Sequence, residues 1–143
     1  MNEFNALSNY NFDDYFAKNI FYKGCYPNDR MDPKMIKKIG EFIIINVDAS
    51  NLSGSHWFSL KKVKNGFDLF DSWNLPQVLL GDHFVNEMKK YKKVNFMPFA
   101  IQHEDSIDVT CGWHCIGFIN SELSIKNFSK LFKEDKPGHF PEI

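Results

Sequence analysis

Residues 41–47 read Glu-Phe-Ile-Ile-Ile-Asn-Val, an apolar run rich in β-branched side chains that is continuous rather than alternating. It is far shorter than the ~20 apolar residues of a membrane span and reads as a buried strand. A buried strand needs partners. His56 to Val63 reads as the next strand and Phe67 to Phe70 as a third, and Asn65-Gly66 between them is the strongest hairpin signal in the chain. A fourth strand over Val94 to Ile101 is interrupted by Pro98, which confines it to an edge or a bulge.

Helical patterning surrounds these strands. A short helix is expected over Asp13 to Asn19. Another is expected over Pro33 to Ile39, with Asp32 as cap and Pro33 at the first helical position. Asp82 to Tyr91 carries Phe84, Val85, Met88 and Tyr91 on one face. Cys111 to Asn120 carries Cys115, Ile116, Phe118 and Ile119 and reads as a helix buried nearly all round, and Ile125 to Phe132 as a final short helix. Gly24 to Asp29 reads as a turn-rich loop and Asn51 to Ser55 as a polar turn. Strands adjacent in sequence with helices at both ends predict an α+β fold. Neither repeat nor linker interrupts the pattern, so residues 1–143 read as a single domain. A chain of that length buries roughly 70% of its unfolded surface and needs no staple.

Seventeen basic against eighteen acidic residues exclude a strongly basic nucleic-acid protein. The N-terminal stretch has no basic segment followed by an apolar one, so no secretory signal is expected. Cys25, Cys111 and Cys115 are an odd number, which suits free thiols in a reducing compartment.

Four features carry chemistry in a telling order: His56-Trp57 opening a strand, Asp71 ending the next, Gln102 in a loop, and Cys111-Gly112 opening the buried helix. A thiol at a helix N-terminus meets unpaired N–H groups and the positive end of the macrodipole. The dipole supplies only about 0.3–1 kcal/mol, less than one pKa unit, whereas catalytic cysteines are shifted by several. A cationic neighbour is therefore required, and His56 is the candidate base and imidazolium partner. Asp71 is the candidate to hold the imidazole's other nitrogen, because the hairpin returns the chain to its start. Asp68 is its rival, but three positions apart in an extended strand the two face opposite sides. Gln102 can supply an amide donor to an oxyanion hole. Gly112 removes a side chain where substrate backbone must approach.

Ser55-His56-Trp57-Phe58, Leu69-Phe70-Asp71-Ser72, Gln102 and Thr110-Cys111-Gly112-Trp113-His114-Cys115 resemble the His-Trp, Asp-Ser, Gln and Cys-Gly elements of adenain-type cysteine proteases. These are the maturation endopeptidases of adenoviruses, polintons and virophages, related to the SUMO-deconjugating proteases. Phe21 to Met31 is also similar to an early loop of the virus-type members. The resemblance implies a papain-like active site in permuted order on a central mixed or antiparallel sheet flanked by helices. It implies Cys111 as nucleophile, His56 as base, Asp71 as orienter, Gln102 in the oxyanion hole and Trp57 lining a narrow tunnel that admits Gly. It implies cleavage of Gly-containing sites in capsid and virion precursor proteins, in the virion and the host cytoplasm, with no cofactor. A DNA or peptide activator stays open, and the chain lacks the long C-terminal part of the adenoviral enzymes.

Other readings compete. Cys115, one helical turn deeper than Cys111, reads as core, and the other four histidines (83, 103, 114 and 139) as surface or structural. Cys111, His114, Cys115 and His103 fit no common zinc spacing, so no metal is expected. Lys89, Lys90, Lys92 and Lys93 read as a solvated face rather than a DNA site. Trp73 and Trp113 read as rim or core aromatics. A deconjugating protease acting after Gly-Gly and a catalytically silent interaction domain are the alternative functions.

Overall fold

The apolar run forms the second strand of a five-stranded sheet in a computed structural model that describes residues 7–48, 56–101 and 110–132. The strands are β1 (Tyr22–Pro27), β2 (Phe42–Asn46), β3 (Trp57–Val63), β4 (Gly66–Phe70) and β5 (Val94–Phe96), side by side in that order. The outer pairs β1–β2 and β4–β5 are parallel, and the inner pairs β2–β3 and β3–β4 are antiparallel. The helices among the described residues are α1 (Asn9–Tyr15), α2 (Asp82–Met88), α3 (Cys111–Ser121) and α4 (Ile125–Ser129). The fold is α+β with a mixed sheet, as expected.

β2 explains the arrangement of layers. Phe42 and Ile44 point into a core shared with Phe12, Phe16, Phe70 and Phe118, on the side of α1, α3 and α4. Ile43 and Ile45 point the other way, into a core with Phe58, Leu60, Phe84 and Met88 on the side of α2. Both faces are covered, so a run without alternation is what the strand requires. Each such side chain contributes about 1.5–3 kcal/mol on burial, which makes β2 and its neighbours the rigid frame of the molecule.

The hairpin forms with Val63 opposite Gly66, so its tip is Lys64-Asn65 rather than Asn65-Gly66. Asn65 takes the left-handed conformation, φ 64°. Gly66 serves a different need: a Cβ there would overlap the backbone carbonyl of Lys93, to which Phe67 N–H donates at 3.0 Å. β5 is an edge strand that ends before Pro98, in keeping with the expected edge position.

Several boundaries differ from the sequence reading. The first helix begins at Asn9, because Ser8 and Asn11 form a reciprocal capping box. Gly24 to Asp29 is not simply a loop: its first four residues lie in β1, with a bulge between Tyr22 and Cys25 and Gly24 at φ 117°. Pro33 to Ile39 forms only a single 3₁₀ turn over Pro33–Met35, capped by Asp32 as expected. The Glu41 carboxylate takes the N–H groups of Lys37 and Lys38, which replaces the helical bonds the segment would otherwise make. α2 and α4 stop three residues earlier than expected, at Met88 and Ser129. The Asn51 to Ser55 turn lies outside the described residues.

Gly117, midway along α3, has no heavy atom within 4 Å of an added Cβ. Gly117→Ala should therefore raise unfolding free energy by about 0.5–1 kcal/mol in denaturant titrations. Gly66→Ala should lower it, since backbone must move to admit the methyl group.

Candidate active site

The β3–β4 hairpin carries one site residue at each of its open ends. His56 directly precedes β3, and its carbonyl accepts from Val47 N–H at 2.9 Å, fixing the backbone to the end of β2. Asp71 directly follows β4. His56 Nε2 lies 2.5 Å from Asp71 Oδ1, and each residue is only 2% exposed. A carboxylate only accepts, so Nε2 carries the hydrogen. The same Oδ1 accepts from Trp73 N–H at 3.1 Å, and Oδ2 from Leu75 N–H at 2.8 Å. Three donors thus hold the carboxylate in one orientation, in a site dry enough to strengthen each bond.

Cys111 is the first residue of α3 and is 6% exposed. Its sulfur accepts from Trp57 N–H at 3.4 Å. Trp57 follows His56, so the start of β3 presents both an imidazole and a backbone donor to the helix N-terminus. His56 Nδ1 is buried and has no conventional hydrogen bond among the described residues. Burial by itself pulls the imidazole pKa down. Hydrogen bonding to Asp71 and the Cys111 sulfur, with the electrostatic pull of both groups, outweighs burial and pushes it up from 6.5 to about 9. The sulfur and the carboxylate therefore both act on the same ring. The arrangement can hold an imidazolium between a carboxylate and a sulfur, poised to donate a proton.

Cys115 lies one turn further along α3, and its thiol reaches the Trp57 carbonyl at 3.7 Å. Complete burial, with the nearby Cys111 and Asp71, pushes this thiol's pKa well up, so it stays protonated. Burial and Asp13 likewise push the Cys25 thiol up. Asp68, the rival carboxylate, faces away from His56 and accepts from Asn95 Nδ2 at 2.8 Å and Ile125 N–H at 2.9 Å. It ties β4 to β5 and to the start of α4. His83 binds the Met31 carbonyl at 2.8 Å and is structural.

Trp57 and Gly112 sit beside this cluster, but against the N-terminal segment. The Trp57 indole meets Phe12 edge-to-face at 5.0 Å, and its Nε1 donates to the Leu7 carbonyl at 2.9 Å. A Cβ on Gly112 would lie 2.9 Å from Phe12 and 3.0 Å from Leu7. The space expected for substrate backbone at Gly112 is filled by these two side chains, so here the glycine admits the chain's own N-terminal segment. Gln102 lies outside the described residues, as do His103 and His139. Among the described residues no three His, Cys, Asp or Glu side chains converge to hold a metal ion. No helix among them is long and apolar enough to cross a membrane.

Sequence reasoning missed Trp73. Its indole stacks on the His56 imidazole with ring centroids 4.4 Å apart and planes 7° from parallel. The hairpin register aims position 73 toward position 56, but the pairing ends at Ser59 opposite Phe70 and the turn around Asp71 completes the approach.

No protein-family profile matches the chain, and no curated protein matches it. Among solved structures it aligns with the selenomethionine crystal structure of the ASFV pS273R protease, at 17% identity and a TM-score of 0.47. The alignment covers 94% of this chain and 65% of that one, so this chain spans just under two thirds of that protease's length.

The raised His56 pKa has a consequence for stability. Protonation of the folded form is favoured, so the contribution is whole below the unfolded value of 6.5 and is lost as pH rises through about 9. The difference in unfolding free energy between wild type and His56→Gln should shrink across that window. A difference constant from pH 6 to 10 would contradict the assigned ring environment.

Proposed function

We propose that the chain is a cysteine endopeptidase with Cys111 as nucleophile, His56 as general base and acid, and Asp71 as the residue that orients the imidazole. One observation carries this reading: a buried imidazole held by a carboxylate on one side and facing a thiol at a helix N-terminus on the other. The Cys111 sulfur attacks a peptide carbonyl, the C–N bond breaks as His56 gives its proton to the departing amine, and an acyl-thioester remains. Water, deprotonated by His56, then hydrolyses the thioester and restores the thiol–imidazole pair. The Trp57 N–H beside the sulfur is a candidate donor to the developing oxyanion, alongside the Gln102 amide.

The substrates proposed are Gly-containing sites in capsid and virion precursor proteins, processed in the virion and the host cytoplasm. The His-Trp, Asp-Ser, Gln and Cys-Gly resemblance supports this choice, since it implies that Trp57 lines a narrow tunnel that admits Gly. At 6% exposure, Cys111 offers only a narrow approach. Leu7 and Phe12, packed on Gly112 and Trp57, border that approach.

Cleavage of a fluorogenic Gly-Gly peptide tests the assignment. Cys111→Ala should abolish it, and Cys115→Ala should keep most of it. His56→Ala should cost about 10²–10⁴ in kcat/KM. A dead Cys115→Ala alongside an active Cys111→Ala would overturn the choice of nucleophile. Mass spectrometry of co-expressed precursor proteins with active enzyme and Cys111→Ala should reveal new termini flanked by Gly with the active enzyme alone.

A further inference from the structure

The segment from Asp71 to Leu75 is built around its first side chain. Asp71 accepts from Trp73 N–H and Leu75 N–H, its carbonyl accepts from Asn74 N–H at 2.9 Å, and Asn74 takes a left-handed φ of 50°. The carboxylate that binds His56 therefore also folds the turn that lays Trp73 over the same imidazole. Nearly parallel rings 4.4 Å apart put the indole's π face against the ring that carries charge. The indole Nε1 is buried with no hydrogen-bond partner among the described residues.

Resting on the proposed protease reading, we infer that Trp73 is a positioning residue for His56. Its indole clamps the imidazole in the plane that leaves Nε2 on Asp71 and Nδ1 free for Cys111, and its π face stabilises the imidazolium. The charged and titratable groups that face His56 among the described residues are Asp71, from the end of β4, and Cys111, from the start of α3. Neither covers the face of the ring. The indole does, and it acts in the same direction as Asp71, favouring the protonated form. A cation over an indole in a water-poor site is stabilised enough to move a pKa by roughly one unit.

Simple truncation would blur this effect, since removing the indole also lets water in and relieves the burial that pulls the imidazole pKa down. Fluorinated tryptophans at position 73 avoid that: they keep the ring's shape and drain its π face. The His56 titration is read by NMR of histidine-labelled protein, which needs no substrate. The His56 pKa should step down with each added fluorine, by roughly one unit in all, and the alkaline limb of kcat/KM should follow it. Trp73→Phe should keep the stack and most of the turnover. Trp73→Leu should lower kcat at least tenfold with KM little changed. A pKa unmoved across the fluorinated series, or a Trp73→Leu loss appearing only in KM, overturns the inference. Failure of the protease reading is a separate result: no Gly-Gly cleavage by wild type, and thiol alkylation of equal rate in wild type and His56→Ala, while the titration still decides the role of Trp73.

Discussion

The hydrogen bond between His56 and Asp71 is the contact on which the site depends, and a two-residue tip makes it possible. The residues stand fifteen apart in sequence, yet the β3–β4 hairpin closes that distance and leaves one at each open end. β2 and the two cores pressed against it hold the hairpin in place. The rest of the site is then referred to this frame. α3 brings its first residue to the start of β3, where Trp57 offers N–H to Cys111 and C=O to Cys115. One residue thus stands between a thiol beside a base and a thiol sealed in the core.

The imidazole shows why the neighbours matter more than burial alone. Burial at 2% exposure would leave a lone histidine neutral. The carboxylate and the sulfur reverse that preference. Asp71 in turn is held by two backbone donors from the turn it initiates, so its orientation does not depend on the histidine. Preorganisation of this kind lets a site act without paying to reorient its groups at the moment of reaction.

Much of this was legible in the residues. The unbroken run at 42–46, the turn residues near Gly66 and the apolar positions of α3 each point to one local structure and are mutually consistent. Asp71 over Asp68 followed from its place at the strand end nearer His56, and the two carboxylates face apart as strand alternation requires. β1 was hidden because Gly24, Pro27, Asn28 and Asp29 are turn formers, and only a bulge and pairing to β2 make part of that stretch a strand. The short 3₁₀ turn at Pro33–Met35 was unreadable for another reason: the Glu41 side chain, just past the segment, takes the N–H groups of Lys37 and Lys38 that a longer helix would have used. The stack of Trp73 on His56 needed both the register and the turn around Asp71, neither of which local pattern supplies.

The account turns on whether Cys111 and His56 work as a pair on a bound peptide. A crystal structure of the protein reacted with a Gly-Gly peptide bearing a thiol-reactive warhead tests this most directly. The account predicts a covalent bond from Cys111 Sγ, with His56 Nδ1 within hydrogen-bond distance of the adduct and Nε2 still on Asp71. An adduct on Cys115 or Cys25, or a His56 ring turned away from Cys111 in the complex, would contradict it.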